Sequence, residues 1–146
     1  MTRIRLSFPD PAVFTHRVPV RITDLNYGNH LGHDTLVSLL HDARGAYFRA
    51  HDYAENDVEG TGIILADLAV VYRAQVRYGQ TLNIEIAVQA AGSRGVDFCY
   101  RVTDADTGEL AAVAKTGLLF FDYDANKVTA MPGGFRNLLD AHKEDS

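Results

Sequence analysis

The chain of 146 residues has no tryptophan, a single cysteine and only two methionines. The lone Cys99 excludes an intrachain disulfide and a cysteine-based metal cage, because each needs more than one thiol. A concentrated positive charge is also missing: the formal net charge is −5, and no basic cluster stands out. Nucleic acid and anionic membranes attract proteins that carry such a positive patch, so we expect neither as a partner.

Long hydrophobic runs are absent as well. No apolar stretch approaches the roughly 20 residues of a transmembrane helix, and the N-terminal residues lack the continuous apolar core of a signal peptide. We therefore expect a cytoplasmic protein with no membrane partner. The composition that remains, 47% hydrophobic and 23% charged, is typical of a globular protein. We predict one domain over residues 1–146, with its core at about 14–130.

The most informative stretch runs from Val20 to Arg44. A predicted strand ends there in a polar loop, residues 24–30, and a helix with an apolar face follows. Leu36, Leu40, Ala43 and Tyr47 recur at steps of four, three and four, which is the spacing of one helical face. The sequence predicts Asn29 as the N-cap and Asp34 in the first turns. The loop at the start of this helix is where we expect a functional site.

The rest of the chain is typical of antiparallel sheet. Phe14 to Thr23 alternates, and Pro19 within it predicts an edge or bulged strand, since proline cannot donate to a ladder. Four more strands are predicted at residues 63–76, 81–90, 96–103 and 110–122, and a short tail helix at 135–142. A single long helix must pack on this sheet, which predicts an α+β fold: a five-stranded antiparallel sheet wrapped around one central helix. We expect the exposed edge to be protected by dimerisation.

This layout and the loop sequence together resemble the hotdog-fold acyl-CoA thioesterases, in the branch related to 4-hydroxybenzoyl-CoA thioesterase. Typical members carry a strand ending in Arg, an Asp-x-Asp, a Gly-His and a helix that closes in Ala-Arg. This chain has Arg21, Asp24-Leu25-Asn26, His30 and Ala43-Arg44 at those places. The similarity extends over about residues 14–139. It implies a hotdog fold, thioester hydrolysis, and a homodimer or homotetramer. It also implies no cofactor, apart from coenzyme A as part of the substrate.

Two positions depart from the family pattern. Asn26 stands where the family has its catalytic carboxylate, and Gly32-His33 stands where many relatives have two asparagines. The amide of Asn26 is neither a useful base nor an acylating nucleophile at neutral pH. It can orient a water molecule or hold a substrate oxygen, so another side chain must accept the proton.

Thioester hydrolysis needs a polarised carbonyl and a nucleophile or base-activated water. The resemblance implies that the thioester oxygen binds at the start of the helix, near the N–H groups of His30, Leu31 and Gly32. The candidate catalytic residues are Asn26, His30, His33 and Asp34. The imidazole of histidine titrates near neutral pH and suits a base. Plant-type acyl carrier protein thioesterases have their histidine where His30 falls.

Each candidate base also has a structural interpretation. His30 can be a loop residue that bonds backbone groups, and His33 can be an exposed helix residue. Asp34 can complement the positive end of the helix dipole. At least one of these side chains, or Asp24, is expected to take part in the chemistry.

The predicted substrate-binding residues come from the same loop and from the strand after the helix: Asp24, Tyr27, Gly28, Asn29, Leu31, Gly32, Tyr72 and Arg73. Gly28 permits close approach of the backbone to a ligand. Arg44, Arg73 and Arg77 are candidates for the phosphates of coenzyme A. Asp24 has a structural alternative, because Asp at such a junction often accepts backbone N–H groups of its own turn.

Three functions follow from these residues. The prediction is a thioesterase acting on an acyl-CoA or acyl carrier protein thioester. The second is a hydratase: hotdog hydratases use an Asp-x-Asn-x-x-His run, but His30 lies one residue too far along. The third is an acyl-thioester-binding protein without activity, which Asn26 keeps open. A metal site is not expected, because His30, His33 and Asp34 lack further ligands.

Overall fold

The computed structural model describes residues 1–144. Its elements are strands β1 (Phe14–Pro19), β2 (Gly62–Tyr72), β3 (Thr81–Ala91), β4 (Gly95–Asp104), β5 (Leu110–Asp122) and β6 (Lys127–Val128), and helices α1 (His33–Ala50) and α2 (Gly133–Glu144). The strands pair antiparallel in the order β1-β3-β4-β5-β2, and the two-residue β6 pairs with β5. The predicted α+β architecture is confirmed, with one short strand added. Within residues 1–144, no helix has both the length and the apolar character of a membrane span.

α1 packs its apolar stripe against the sheet. Its buried residues are Leu36, Leu39, Leu40, Ala43, Arg44, Tyr47 and Phe48, which include the whole predicted stripe. The rings of Tyr47 and Phe48 lie 5.3 and 5.4 Å from the ring of Phe98 in β4. Burying an aromatic side chain of this kind stabilises a fold by roughly 1.5–3 kcal/mol. These rings therefore fix α1 at the centre of the core.

β2 differs from the predicted strand at 63–76 in length and in the side chains it buries. The strand ends at Tyr72, and a register shift at residues 65–67 marks a bulge. A bulge interrupts the alternation of faces, so that both Ile63 and Val70 pack on the core. The strict alternation of faces in a regular strand therefore does not hold along β2. Leu65 and Leu68 remain 56% and 40% exposed on this edge strand.

The other predicted features lie close to their expected places. β1 is an edge strand that ends at Pro19, and the hairpin after β4 turns at Gly108 with φ 76°. α2 is longer than the predicted 135–142. Its first turn is capped by the carboxylate of Glu59, which accepts the N–H groups of Gly134 and Phe135 at 3.1 and 2.8 Å. This cap ties α2 to the loop that precedes β2.

Candidate active site

The loop before α1 is a small closed turn, which corrects the predicted N-cap. Leu25 and Leu31 pair antiparallel, and the N–H of Asn26 donates to the carbonyl of His30 at 2.8 Å. Asn29 lies within this turn at φ 62°, where asparagine is tolerated better than most residues. α1 begins only at His33, with Gly32 as its N-cap. Asp34 lies in the first turn, as predicted.

Asn26 uses its side-chain oxygen to hold the loop together. Its Oδ1 accepts the N–H groups of Gly28 at 3.0 Å and of His30 at 3.3 Å. Because both neighbours are donors, the oxygen must face them, and the amide orientation is fixed. The Nδ2 group has no acceptor among residues 1–144.

The N–H groups of His30, Leu31 and Gly32 are bonded within the protein. That of Leu31 donates to the carbonyl of Val76 at 2.8 Å, and that of Gly32 to Asp24 at 3.2 Å. With the bond from His30 to Asn26, all three are occupied, which corrects the expectation that they bind a substrate oxygen. An α-helix leaves its first-turn N–H groups without helical acceptors. In α1 those belong to residues 33–35, and Gly32 supplies no side-chain cap.

A cavity of about 350 Å³ opens between this loop, the start of α1 and the segment after β2. It is lined by Asn26, His30, Leu31, His33, Leu36, Tyr72, Arg73, Ala74, Gln75, Val76 and Ala111. Five of these residues were not predicted as site residues from the sequence: Leu36, Ala74, Gln75, Val76 and Ala111. Residues 73–76 had been predicted as strand, but β2 ends at Tyr72, and the N–H groups of Arg73 and Ala74 both donate to the carbonyl of Ala111.

Tyr72 connects the end of β2 to the start of α1. Its hydroxyl donates to the carbonyl of His33 at 3.1 Å. Partial burial raises the pKa of Tyr72, and the charge of Asp34 raises it further. The hydroxyl therefore stays protonated at neutral pH and can keep this bond.

Several predicted residues lie outside the cavity. Tyr27 is fully exposed. Asp24 is buried, and its Oδ2 accepts the backbone N–H of Arg21 at 2.8 Å, which is the structural alternative considered for it. Gly28, Asn29, Gly32 and Asp34 belong to the loop and first turn but do not line the cavity. Within residues 1–144, no three His, Cys, Asp or Glu side chains are grouped to hold a metal ion.

Arg44 is buried and unavailable to a ligand, which corrects its place among the phosphate candidates. Its Nε donates to Glu55 at 2.7 Å, and its Nη1 donates to the hydroxyl of Tyr100 at 3.2 Å. Tyr100 is bonded in turn to Thr116 at 2.8 Å. Burial acts to lower the pKa of Arg44, but Tyr100 and Glu55 outweigh it and raise that pKa. This set of four side chains is called the Arg44 cluster below.

Comparisons with known proteins give the family from a family model and the fold from solved structures. The family model of the thioesterase-like superfamily matches residues 20–139. No curated protein matches the chain. Among solved structures, the chain is similar to a 1,4-dihydroxy-2-naphthoyl-CoA thioesterase from Synechocystis, with a TM-score of 0.80 at 15% identity over 86% of this chain and 94% of that one.

Two further structures share the fold. A DHNA-CoA thioesterase from Staphylococcus aureus has a TM-score of 0.76 at 19% identity, covering 89% of this chain and 88% of that one. The 12:0-ACP thioesterase from Umbellularia californica has a TM-score of 0.74 at 14% identity, covering 85% of this chain and 51% of that one. The architecture is that of the hotdog fold, and the chain belongs to the thioesterase-like superfamily.

Proposed function

We propose that this protein hydrolyses an acyl or aroyl thioester of coenzyme A at the cavity beside the start of α1. The observation that carries the proposal is the cavity lining. Two imidazoles, of His30 and His33, and the amide of Asn26 lie beside apolar walls that include Leu36 and Val76. This arrangement combines a proton acceptor, a hydrogen-bonding group and a surface for an acyl chain.

The reaction needs water and no cofactor. A water molecule gives a proton to an imidazole as its oxygen attacks the thioester carbon, and the carbonyl electron pair moves onto the carbonyl oxygen. The tetrahedral intermediate then collapses, the carbon–sulfur bond breaks, and the thiolate takes the proton from the imidazolium. The products are the acid and the free thiol of coenzyme A.

His30 is the base that we favour. Its side chain is half-buried at the end of the loop, whereas that of His33 is exposed. A carboxylate base is less well supported, because Asp34 does not line the cavity. The side chain of Asp34 instead folds back over the backbone of Gly32. Its Oδ1 lies 2.6 Å from the position that a Cβ on Gly32 would occupy. Partial burial of His30 supports a fixed orientation relative to the substrate carbonyl.

Arginines at the mouth support coenzyme A as the carrier. Arg73 lines the cavity, and Arg77 pairs through its backbone with His30. The guanidinium of Arg3 donates to the carbonyl of Tyr72 at 3.5 Å. Guanidinium groups recognise phosphates well, and these three stand out on a chain of net charge −5. An acyl carrier protein thioester is the alternative substrate, since it also carries a phosphopantetheine phosphate.

A homodimer through β2 is the assembly that we propose. The eleven-residue β2 lies at an edge of the sheet, with Leu65, Leu68 and Tyr72 exposed. Such an edge pairs readily with another strand, and Tyr72 would bring the partner next to the cavity. Light scattering should give twice the mass of one chain, and Leu68→Lys should lower it. A monomeric wild-type protein at micromolar concentration would contradict this assembly.

A binding protein without turnover is the second candidate, because Asn26 replaces the carboxylate of the family. One experiment separates the two functions. Purified protein is given a panel of short, long and aromatic acyl-CoA thioesters, thiol release is followed, and binding is measured in parallel. Turnover of at least one thioester supports hydrolysis. Saturable binding with no thiol release contradicts it and favours the binding protein, and hydration of an enoyl-CoA would favour the hydratase.

A further inference from the structure

We infer that Asn26 is a hydrogen-bond donor to the substrate, and that its Nδ2 group binds the thioester carbonyl oxygen and stabilises the oxyanion. This inference rests on the proposed function and assigns Asn26 one of the two roles that an amide permits. The other role, holding the attacking water, uses the side-chain oxygen as an acceptor.

The first observation is the orientation of the amide. Oδ1 of Asn26 accepts the N–H groups of Gly28 and His30, so neither lone pair is left for a water in the cavity. The planar amide then places Nδ2 on the opposite side. Asn26 itself lines the cavity, and no carbonyl or carboxylate among residues 1–144 takes a hydrogen bond from its Nδ2. The atom that Asn26 offers to a ligand is therefore a donor.

The second observation is that the backbone N–H groups of the loop next to His30 are already bonded, and the unbonded ones begin only at residues 33–35 of α1. The N–H groups of His30, Leu31 and Gly32 are occupied by Asn26, Val76 and Asp24, respectively. In the loop, this leaves the amide of Asn26 to face a carbonyl oxygen. Hydrogen-bond donors that face a developing oxyanion contribute much of the transition-state stabilisation in acyl transfer. Loss of one such donor typically lowers kcat about 10²–10³-fold.

The third argument concerns charge. An aspartate at position 26 would keep the loop closed, because one carboxylate oxygen can accept both N–H groups. Its second oxygen would then face the cavity with a negative charge, which repels an oxyanion. Asparagine has the same shape and replaces that oxygen with a neutral donor. On this account Asn26→Asp is harmful, whereas it restores activity if Asn26 is only a lost catalytic carboxylate.

The test compares two analogues of coenzyme A that cannot be hydrolysed. In the ketone analogue a methylene replaces the thioester sulfur and the carbonyl stays. In the thioether analogue the carbonyl oxygen is missing. Calorimetry is run on the wild type, on Asn26→Asp and on a control, Asn56→Asp. Asn56 is exposed in the turn after α1, so the control adds the same charge away from the cavity.

We expect Asn26→Asp to weaken ketone binding at least 10-fold and to leave thioether binding unchanged, with kcat about 100-fold lower. The control should match the wild type. A second measurement needs no variant: the side-chain NH₂ resonances of Asn26 should move in ¹⁵N spectra on addition of the ketone, and much less with the thioether.

Either of two binding results overturns the inference alone: equal losses of ketone and thioether binding in Asn26→Asp, or NH₂ resonances that respond alike to both analogues. A gain of thiol release in Asn26→Asp does so as well. If wild-type protein binds neither analogue, the proposed function fails and takes this inference with it.

Discussion

One polar cluster lies along α1 and another at its start, and they differ in how their hydrogen bonds are used. In the Arg44 cluster, the guanidinium is bonded to Glu55 and Tyr100, and Tyr100 to Thr116. At the start of the helix, the rings of His30 and His33 have no hydrogen-bond partner among residues 1–144, although both line a cavity. The polar groups of the first cluster are bonded to one another, and the imidazoles of the second face the cavity.

The difference shows how one helix serves two purposes. A buried polar group must be paired, because an unpaired one costs about 1–3 kcal/mol, and no buried side-chain polar atom within residues 1–144 lacks a partner. The Arg44 cluster obeys this rule and holds α1 to β4 and β5. Groups at the cavity avoid the cost by staying near solvent, which leaves them free for a substrate. The predictions below break one cluster at a time.

The largest effect is expected from His30→Ala. Removal of a general base should lower kcat by about 10²–10⁴-fold, and thiol release at saturating substrate measures it. The free energy of unfolding should change by less than about 0.5 kcal/mol, because the ring has no partner to lose. His41→Ala is the control, since His41 is an exposed histidine of α1 that lies away from the cavity lining and pairs with Glu55. Equal activity in the two variants would remove His30 from the mechanism.

Arg44→Met should lower the free energy of unfolding and leave kcat nearly unchanged, the opposite of His30→Ala. Substitution of Arg44 keeps much of the side-chain volume but removes one partner of Glu55 and one partner of Tyr100; His41 still pairs with Glu55. Breaking a buried charge pair costs about 3–5 kcal/mol. We expect about 2–3 kcal/mol in urea unfolding, since Glu55 keeps some contact with solvent. The kcat of the folded protein should stay within about twofold.

Arg49→Met is the control for Arg44→Met, because Arg49 lies in the last turn of α1 and is exposed. Its unfolding free energy should match that of the wild type within about 0.5 kcal/mol. A loss of kcat in folded Arg44→Met, with little loss of stability, would contradict the separation of the two clusters.

Tyr72→Phe tests the contact between β2 and the start of α1 and should have a smaller effect. The variant keeps the ring and loses one hydrogen bond, to the carbonyl of His33, worth about 1 kcal/mol. If that bond positions the first turn, kcat/KM should fall roughly fivefold, which corresponds to that free energy. Steady-state kinetics measures it. An unchanged kcat/KM would show that the hydroxyl does not position the site.

The smallest effect is a pH dependence at the other end of α1. Burial lowers the pKa of His51, and Asp52 opposes this only partly. The folded protein therefore binds this proton less readily than the unfolded chain, whose histidines titrate near 6.5. Stability should fall as the pH drops below about 6.5 and through the lower folded-state pKa. In urea titrations, His51→Gln should lose less stability than the wild type over that range, and an equal loss would refute the assignment.

Much of this architecture could be predicted from the sequence because it depends on periodic patterns. The stripe from Leu36 to Tyr47 predicted α1, and the alternation in residues 81–90 predicted β3. The loop was recognised from its polar residues and from family resemblance. Local patterns of this kind are reliable because a helix or strand that buries one face needs apolar residues at the spacing of that face.

Other features depended on contacts that sequence spacing does not show. The bulge near Asp67 determines which side chains of β2 are buried. Because β2 ends at Tyr72, the residues that follow it, 73–76, line the cavity. Arg44 was predicted as a candidate for phosphate binding because arginine suits phosphates, yet it is buried with Tyr100 and Glu55 as its partners. The N-cap of α1 is Gly32 and not the predicted Asn29, because Asn29 belongs to a turn that the side chain of Asn26 closes before the helix begins. Each of these depends on a partner distant in sequence or on a backbone angle.

The central claim is that Asn26, His30 and His33, which line the cavity at the start of α1, form the active site. A crystal structure with the ketone analogue of an acyl-CoA tests it most directly. We predict the acyl group in the cavity, the ketone oxygen about 3 Å from Nδ2 of Asn26, and a water between the carbonyl carbon and His30. A ketone carbon bound away from this cavity, with His30 and Asn26 untouched, would contradict the claim.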